Sequence, residues 1–152
     1  MGPESEARSV LKDILLVEDN PADVRLTREA LREAGLKSRL HVARDGEDAL
    51  DFLYQRGAHA NAPRPDLILL DFNLPKKSGR EVLVEIKGHD SLKLIPIIAL
   101  TTSSAQEDID LAYRQHANCF ITKPMDLDQF INAIRVIGTF WLGVVTLPKP
   151  AA

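Results

Sequence analysis

The chain carries the stretch ILLVEDNP at residues 14–21, an unbroken apolar run that ends in two acids and a proline. A second run of this kind, DLILLD, occupies residues 66–71. Neither run alternates apolar with polar side chains, which is typical of parallel strands that helices cover on both faces. The two stretches therefore predict a buried parallel sheet with carboxylates at the ends of its strands.

Five short apolar segments of the chain have the length of a strand, and longer segments with helical spacing lie between them. Residues that favour turns or helix starts mark the joints, as at Pro21, Asp45–Gly46 and Ser78–Gly79. The alternation predicts a β-α unit repeated five times, and hence a doubly wound, three-layer α/β sandwich. The predicted strands are residues 13–17, 39–42, 67–70, 97–100 and 119–121.

The composition is that of one globular domain, with 152 residues of which 45% are apolar and 27% charged. The formal net charge is -3 and no dense block of Lys and Arg occurs, so nucleic-acid binding by this chain is not expected. Residues 1–9 do not resemble a secretory signal, and the apolar stretch at residues 136–145 is too short to span a bilayer. Together with the single cysteine, Cys119, these features predict a cytoplasmic protein without a membrane partner.

Four of the predicted strands are followed by residues that can take part in chemistry. Ligands of an open parallel sheet bind at the carboxyl ends of the strands, so we expect these residues to share one cleft. They are Glu18, Asp19, Asp71, Thr101 and Lys123. Carboxylates held a few ångströms apart repel by roughly 4 kcal/mol per pair at an effective dielectric near 20, so three of them require a counter-charge. Hard oxygen ligands from so few residues predict Mg²⁺.

A divalent ion in such a cleft would bridge an incoming phosphoryl group to its acceptor, and Asp71 would then serve as the nucleophile. Lys123 would supply a positive charge to one phosphoryl oxygen, and Thr101 a hydroxyl donor to another. Taken singly, each residue is more often a turn residue, a helix cap or a solvated charge. Their joint occurrence at the ends of four strands favours phosphoryl transfer.

These motifs resemble those of response-regulator receiver domains over residues 12–143. The resemblance rests on ILLVEDNP, on DLILLD followed by Asn73 and Gly79, on IIALT at residues 97–101 and on FITKP at residues 120–124. It implies a flavodoxin-like fold whose five-stranded parallel sheet has the order 2-1-3-4-5. The receiver domain would span residues 10–143, with a flexible tail at residues 1–9 and a C-terminal arm at residues 144–152.

The resemblance also implies a role for each matching residue. Asp71 would accept a phosphoryl group from a phosphohistidine of a sensor kinase. Asp19 and Asp71 would bind Mg²⁺, with Mn²⁺ or Ca²⁺ able to substitute, Glu18 would act through a metal-bound water, and the backbone carbonyl of Asn73 would complete the protein ligands. The protein would catalyse only its own phosphorylation and dephosphorylation, and is otherwise not expected to be an enzyme.

A conformational switch is implied at Thr101 and Phe120. Thr101 would move toward the phosphoryl oxygens and Phe120 would swing inward behind it, which couples the charge at Asp71 to the surface of the fourth helix and fifth strand. Without the resemblance, Phe120 is equally well explained as an ordinary core residue. Because the chain ends soon after the predicted fifth helix, we expect a signalling switch without an output domain.

A narrower resemblance is to the small regulators partnered with bacterial phytochrome histidine kinases. It rests on DVRL at residues 23–26, on TTS at residues 101–103 and on FWLGVVTLP at residues 140–148. It implies a phytochrome kinase as partner and a homodimer. The residue types alone also predict a homodimer, because large apolar side chains that follow an already apolar helix are typical of an association surface. The candidate interface residues are Phe140, Trp141, Leu142, Val144 and Val145, although Trp141 could instead fold back onto its own domain.

Two other hypotheses fit parts of the pattern. A magnesium-dependent phosphotransferase of the haloacid dehalogenase kind also uses an aspartate nucleophile, but it predicts a second aspartate two residues later, where this chain has Asn73. A degenerate receiver that serves only as a dimerisation module would not need the complete set of acids, hydroxyl and lysine.

Overall fold

The computed structural model describes residues 11–33, 37–72, 74, 77–101, 106–117, 119–122, 127–138 and 140. Within these residues, five strands form one sheet, in which all neighbouring strands run parallel in the order β2-β1-β3-β4-β5. They are β1 (Lys12–Val17), β2 (Ser38–Ala43), β3 (Leu67–Asp71), β4 (Ile97–Thr101) and β5 (Cys119–Thr122). The predicted strand order is confirmed, and each predicted strand lies within one residue of the observed one.

In the described part of the chain, five helices connect and follow the strands, together with short 3₁₀ turns at Gly57–His59 and Leu92–Leu94. The helices are α1 (Pro21–Glu33), α2 (Gly46–Tyr54), α3 (Gly79–Lys87), α4 (Gln106–Arg114) and α5 (Leu127–Gly138). No helix among the described residues is both long enough and apolar enough to cross a bilayer.

Two apolar clusters cover the two faces of the sheet. On one face, Leu15 and Ile68 pack with side chains of α2, α3 and α4. On the other face, Leu16 and Leu69 pack with side chains of α1 and α5. Successive residues of a strand point to opposite faces, so both Leu15 and Leu16 are buried, and this explains why the strand sequences do not alternate. The predicted three-layer sandwich is confirmed.

The predicted helix starts are capped by the side chains expected there. Asp45 accepts a hydrogen bond from the backbone N–H of Asp48 at 2.8 Å, and Ser78 accepts one from Glu81 at 3.3 Å. Asn20 accepts from the N–H of Ala22 at 2.9 Å, directly before the proline that opens α1. Each cap satisfies a helix N–H group that has no partner within the helix.

Two histidines join side chains from separate elements into a small packed group. His41 lies 2.9 Å from an oxygen of Asp13, and His59 lies 2.7 Å from an oxygen of Asp48. Both rings contact the ring of Phe52, at centroid distances of 5.2 and 5.3 Å. This group anchors the segment after α2 to the sheet.

Candidate metal centre

Three carboxylates from two neighbouring strand ends meet at one edge of the sheet. Glu18 and Asp19 directly follow β1, and Asp71 is the last residue of β3. The two strands are adjacent and pair Val17 with Leu70, which brings the residues that follow to the same level. One oxygen from each carboxylate lies within 4.8 Å of an oxygen of the other two. The predicted convergence of these acids is thus observed.

The acids differ in their exposure to solvent. Glu18 and Asp71 keep only 2% and 4% of their surface accessible, whereas Asp19 is exposed. One oxygen of Glu18 accepts a hydrogen bond from the backbone N–H of Asn20 at 3.1 Å. Buried carboxylates held this close need positive charge nearby, and hard oxygen donors with an exposed side are suited to Mg²⁺ or a similar divalent ion. The donor set therefore fits a divalent metal site, and no other group of this kind occurs among the described residues.

Phe72, the residue directly after Asp71, is hydrogen-bonded to the start of α3. The backbone N–H of Gly79 donates to the carbonyl oxygen of Phe72 at 3.4 Å, and Phe72 is buried in the core. The N–H of Phe72 in turn donates to the carbonyl of Leu100 in β4 at 3.2 Å. The backbone next to Asp71 is therefore held from two sides.

The remaining predicted site residues are described in part or not at all. Thr101 is the last residue of β4, which lies beside β3, and Phe120 lies in β5 opposite Ala99. Their side chains lie outside the described part of the chain, as do Asn73 and Lys123. Among the candidate interface residues, Phe140 is described and is 50% exposed. The other four, Trp141, Leu142, Val144 and Val145, lie outside the described residues.

One feature of the site was not predicted from the sequence. Arg25 and Arg28 of α1 and Arg44 after β2 line a cleft of about 240 Å³ together with Glu18 and Asp19. Arg25 and Arg28 are three residues apart and so share one face of the helix. That spacing was visible in the sequence, but their position beside the acids depends on how α1 packs against the sheet.

Comparison with known proteins decides the family. A sequence model described as the response regulator receiver domain matches residues 14–135. The chain belongs to this family. This chain is 50% identical over 137 residues to the response regulator Rcp1 of Synechocystis sp.. The aligned region covers 90% of this chain and 93% of Rcp1.

Solved receiver structures superimpose closely on the fold. The phosphorylated cyanobacterial phytochrome response regulator RcpA matches with a TM-score of 0.89 and 50% identity, over 92% of this chain and 100% of RcpA. The Mn²⁺-bound form of Rcp1 matches with a TM-score of 0.88 and 49% identity, over 91% of this chain and 99% of Rcp1. The predicted receiver resemblance and the flavodoxin-like fold are confirmed. Receivers of this family are signalling proteins that are phosphorylated on an aspartate.

Proposed function

We propose that this response regulator accepts a phosphoryl group on Asp71 from a phosphohistidine of a sensor histidine kinase. The observation that carries the proposal is the position of Asp71: it is buried at the end of β3, with its carboxylate within 4.8 Å of those of Glu18 and Asp19. An aspartate in this setting is held in place by the sheet and needs a cation to offset the neighbouring charges.

The same three acids would hold the metal. Asp19 and Asp71 would contribute oxygen ligands directly, Glu18 would act through a water, and the carbonyl of Asn73 would complete the set. When bound, Mg²⁺ offsets the charge of the phosphoryl oxygens during transfer. The Mn²⁺-bound structure of the relative Rcp1 supports a divalent ion at this site, and Mn²⁺ or Ca²⁺ would substitute.

Asp71 carries the chemical step. One of its carboxylate oxygens attacks phosphorus, the bond from phosphorus to the histidine nitrogen breaks, and the electron pair stays on that nitrogen. Lys123 donates to one phosphoryl oxygen, and Thr101 donates to another. Phe120 then changes position behind Thr101, and the surface of α4 and β5 reports the phosphorylation. The strands β3, β4 and β5 are neighbours in the sheet and carry Asp71, Thr101 and Phe120, respectively, which supports this coupling.

We further propose a phytochrome histidine kinase as the partner, in the cytoplasm, and a receiver unit that spans residues 10–143. The match to a cyanobacterial phytochrome response regulator over nearly its whole length supports the partner. The low count of cysteines and the absence of a basic block support a cytoplasmic protein that does not bind nucleic acid.

We also propose that the protein forms a homodimer through its C-terminal part. Val136 and Phe140 are 58% and 50% exposed and lie four residues apart. Monomeric proteins rarely expose large apolar side chains that lie next to each other, and such patches mark association surfaces. The largely apolar residues 141–145 follow these two in the sequence.

Incubation with acetyl phosphate and Mg²⁺, followed by intact-mass analysis, tests the proposed acceptor. The protein should gain the mass of one phosphoryl group, and the gain should require the metal. Asp71→Asn should abolish it, whereas Asp90→Asn, which changes a fully exposed acid, should not. A phosphoryl group that persists in Asp71→Asn would contradict the assignment, and sustained turnover of phosphate esters would favour a phosphotransferase.

A further inference from the structure

Three positively charged side chains line a cleft that opens directly beside the acidic cluster. Arg25 and Arg28 come from α1 and Arg44 from the turn after β2, and all three are exposed. Glu18 and Asp19, two of the three acids of the metal centre, line the same cleft. The cleft therefore connects a cationic wall with the site at which we propose phosphorylation.

The three guanidinium groups have no direct salt-bridge partner within the described part of the protein. None of them makes an ion pair or a hydrogen bond with another described residue. Five other arginines are paired in this way: Arg32 with Glu29, Arg39 with Asp13, Arg56 with Asp51, Arg64 with Ser91 and Arg135 with Glu33. In a chain with a net charge of -3, a cleft whose three arginines outnumber its two carboxylates is a local excess of positive charge.

Guanidinium groups bind oxyanions through paired N–H donors, and clefts with one sign of charge raise the local concentration of the opposite ion. The acidic cluster on its own would repel a phosphoryl donor that carries two negative charges. We propose that Arg25, Arg28 and Arg44 form an anion-capture site, which draws a small anionic phosphoryl donor of the acyl phosphate class into the cleft beside Asp71. The inference rests on the proposed function of Asp71 and adds residues that govern its rate.

The rate of phosphorylation by acetyl phosphate at saturating Mg²⁺ and low ionic strength tests the capture site. Each single change, Arg25→Gln, Arg28→Gln or Arg44→Gln, should lower the second-order rate constant about twofold, and the triple variant about five- to tenfold. The loss should largely vanish in about 0.5 M salt, because salt screens exposed charges. Phosphoramidate, a donor with less negative charge, should show a smaller loss.

Arg32→Gln is the matched control, because Arg32 lies on the same helix but is paired with Glu29 and does not line the cleft. Its rate constant should match that of the wild type. A second readout separates electrostatic capture from damage to the fold. The triple variant should bind Mg²⁺ more tightly than the wild type, because three nearby positive charges are removed. Titration calorimetry measures this affinity.

Equal rates in the wild type and the triple variant at low salt would overturn the capture site and leave Asp71 as the acceptor. A loss of rate that persists in high salt, or a weaker affinity for Mg²⁺, would also overturn it. If the wild type itself gains no phosphoryl group, the proposed function fails, and that outcome is distinguishable from the others.

Discussion

Gly79 lies so close to the end of β3 that a Cβ atom at this position would stand 2.2 Å from the carbonyl oxygen of Asp71. It would also stand 2.6 Å from the Cα atom of Phe72. Both distances are far inside van der Waals contact, so only glycine lets α3 begin against the strand end that carries the proposed acceptor. The position of Asp71 thus depends on a residue eight positions further along the chain.

Gly79→Ala should therefore damage both the fold and the site. The backbone has to move at α3 or at Asp71, and we expect a loss of about 1–3 kcal/mol in the free energy of unfolding, together with weaker Mg²⁺ binding. Urea denaturation and titration calorimetry measure the two effects. Gly88→Ala is the control, because a Cβ atom there would stand 3.3 Å from its nearest neighbour, the carbonyl oxygen of Val84. This approach is about 1 Å less close than the one at Gly79. Unchanged stability and metal affinity in Gly79→Ala would refute the role of this close approach.

Asp19→Asn should change metal binding and metal-free stability in opposite directions. The loss of one ligand charge should weaken Mg²⁺ binding about tenfold or more. Without metal, the same change removes repulsion from Glu18 and Asp71, so the free energy of unfolding should rise by up to about 1 kcal/mol. Titration calorimetry measures the affinity for Mg²⁺, and urea denaturation in EDTA measures the free energy of unfolding without metal. A variant that binds Mg²⁺ as tightly as the wild type would exclude Asp19 as a ligand.

Asp13 should make the fold sensitive to acid. Burial raises the pKa of Asp13, but hydrogen bonds involving His41 and Arg39 outweigh burial and hold the pKa of this carboxyl below its ordinary value of 3.8. Because the folded pKa is the lower one, the stabilisation is complete above the unfolded pKa and is lost as the pH falls through the folded pKa. Asp13→Asn should cost about 1–3 kcal/mol at pH 7 and progressively less below about pH 4.

Urea denaturation across this pH range measures the effect. Asp51→Asn, which removes an exposed ion pair with Arg56, should cost less than about 1 kcal/mol at any pH. A penalty for Asp13→Asn that stays constant from pH 7 to about pH 3 would show that the charge of Asp13 does not stabilise the fold.

Phe140→Ser should weaken the proposed homodimer. The ring is half exposed beyond α5, and loss of a buried aromatic anchor at an interface weakens association about tenfold or more. Light scattering coupled to size-exclusion chromatography over a range of concentrations measures the change. Tyr113→Ser removes an equally exposed aromatic side chain from α4 and should leave the association unchanged. A monomeric wild type would exclude the dimer altogether.

The strands and the acidic cluster were predictable because they depend on local pattern and on one rule of topology. Runs such as residues 67–70 are apolar without interruption, and parallel strands place their carboxyl ends together, so Asp19 and Asp71 had to be neighbours. The arginine cleft, the role of Gly79 and the pairing of Asp13 with Arg39 could not be derived in this way. Each depends on the distance between elements after packing, which residue type and spacing do not determine.

The proposed phosphorylation of Asp71 depends on one divalent ion that Asp19 and Asp71 share beside Glu18. A crystal structure of the protein with Mn²⁺, with the ion located by its anomalous scattering, would show whether the two carboxylates share it. We expect one ion bonded to a carboxylate oxygen of Asp19 and to one of Asp71. An ion bound elsewhere, or two carboxylates too far apart to share it, would rule out the shared metal site.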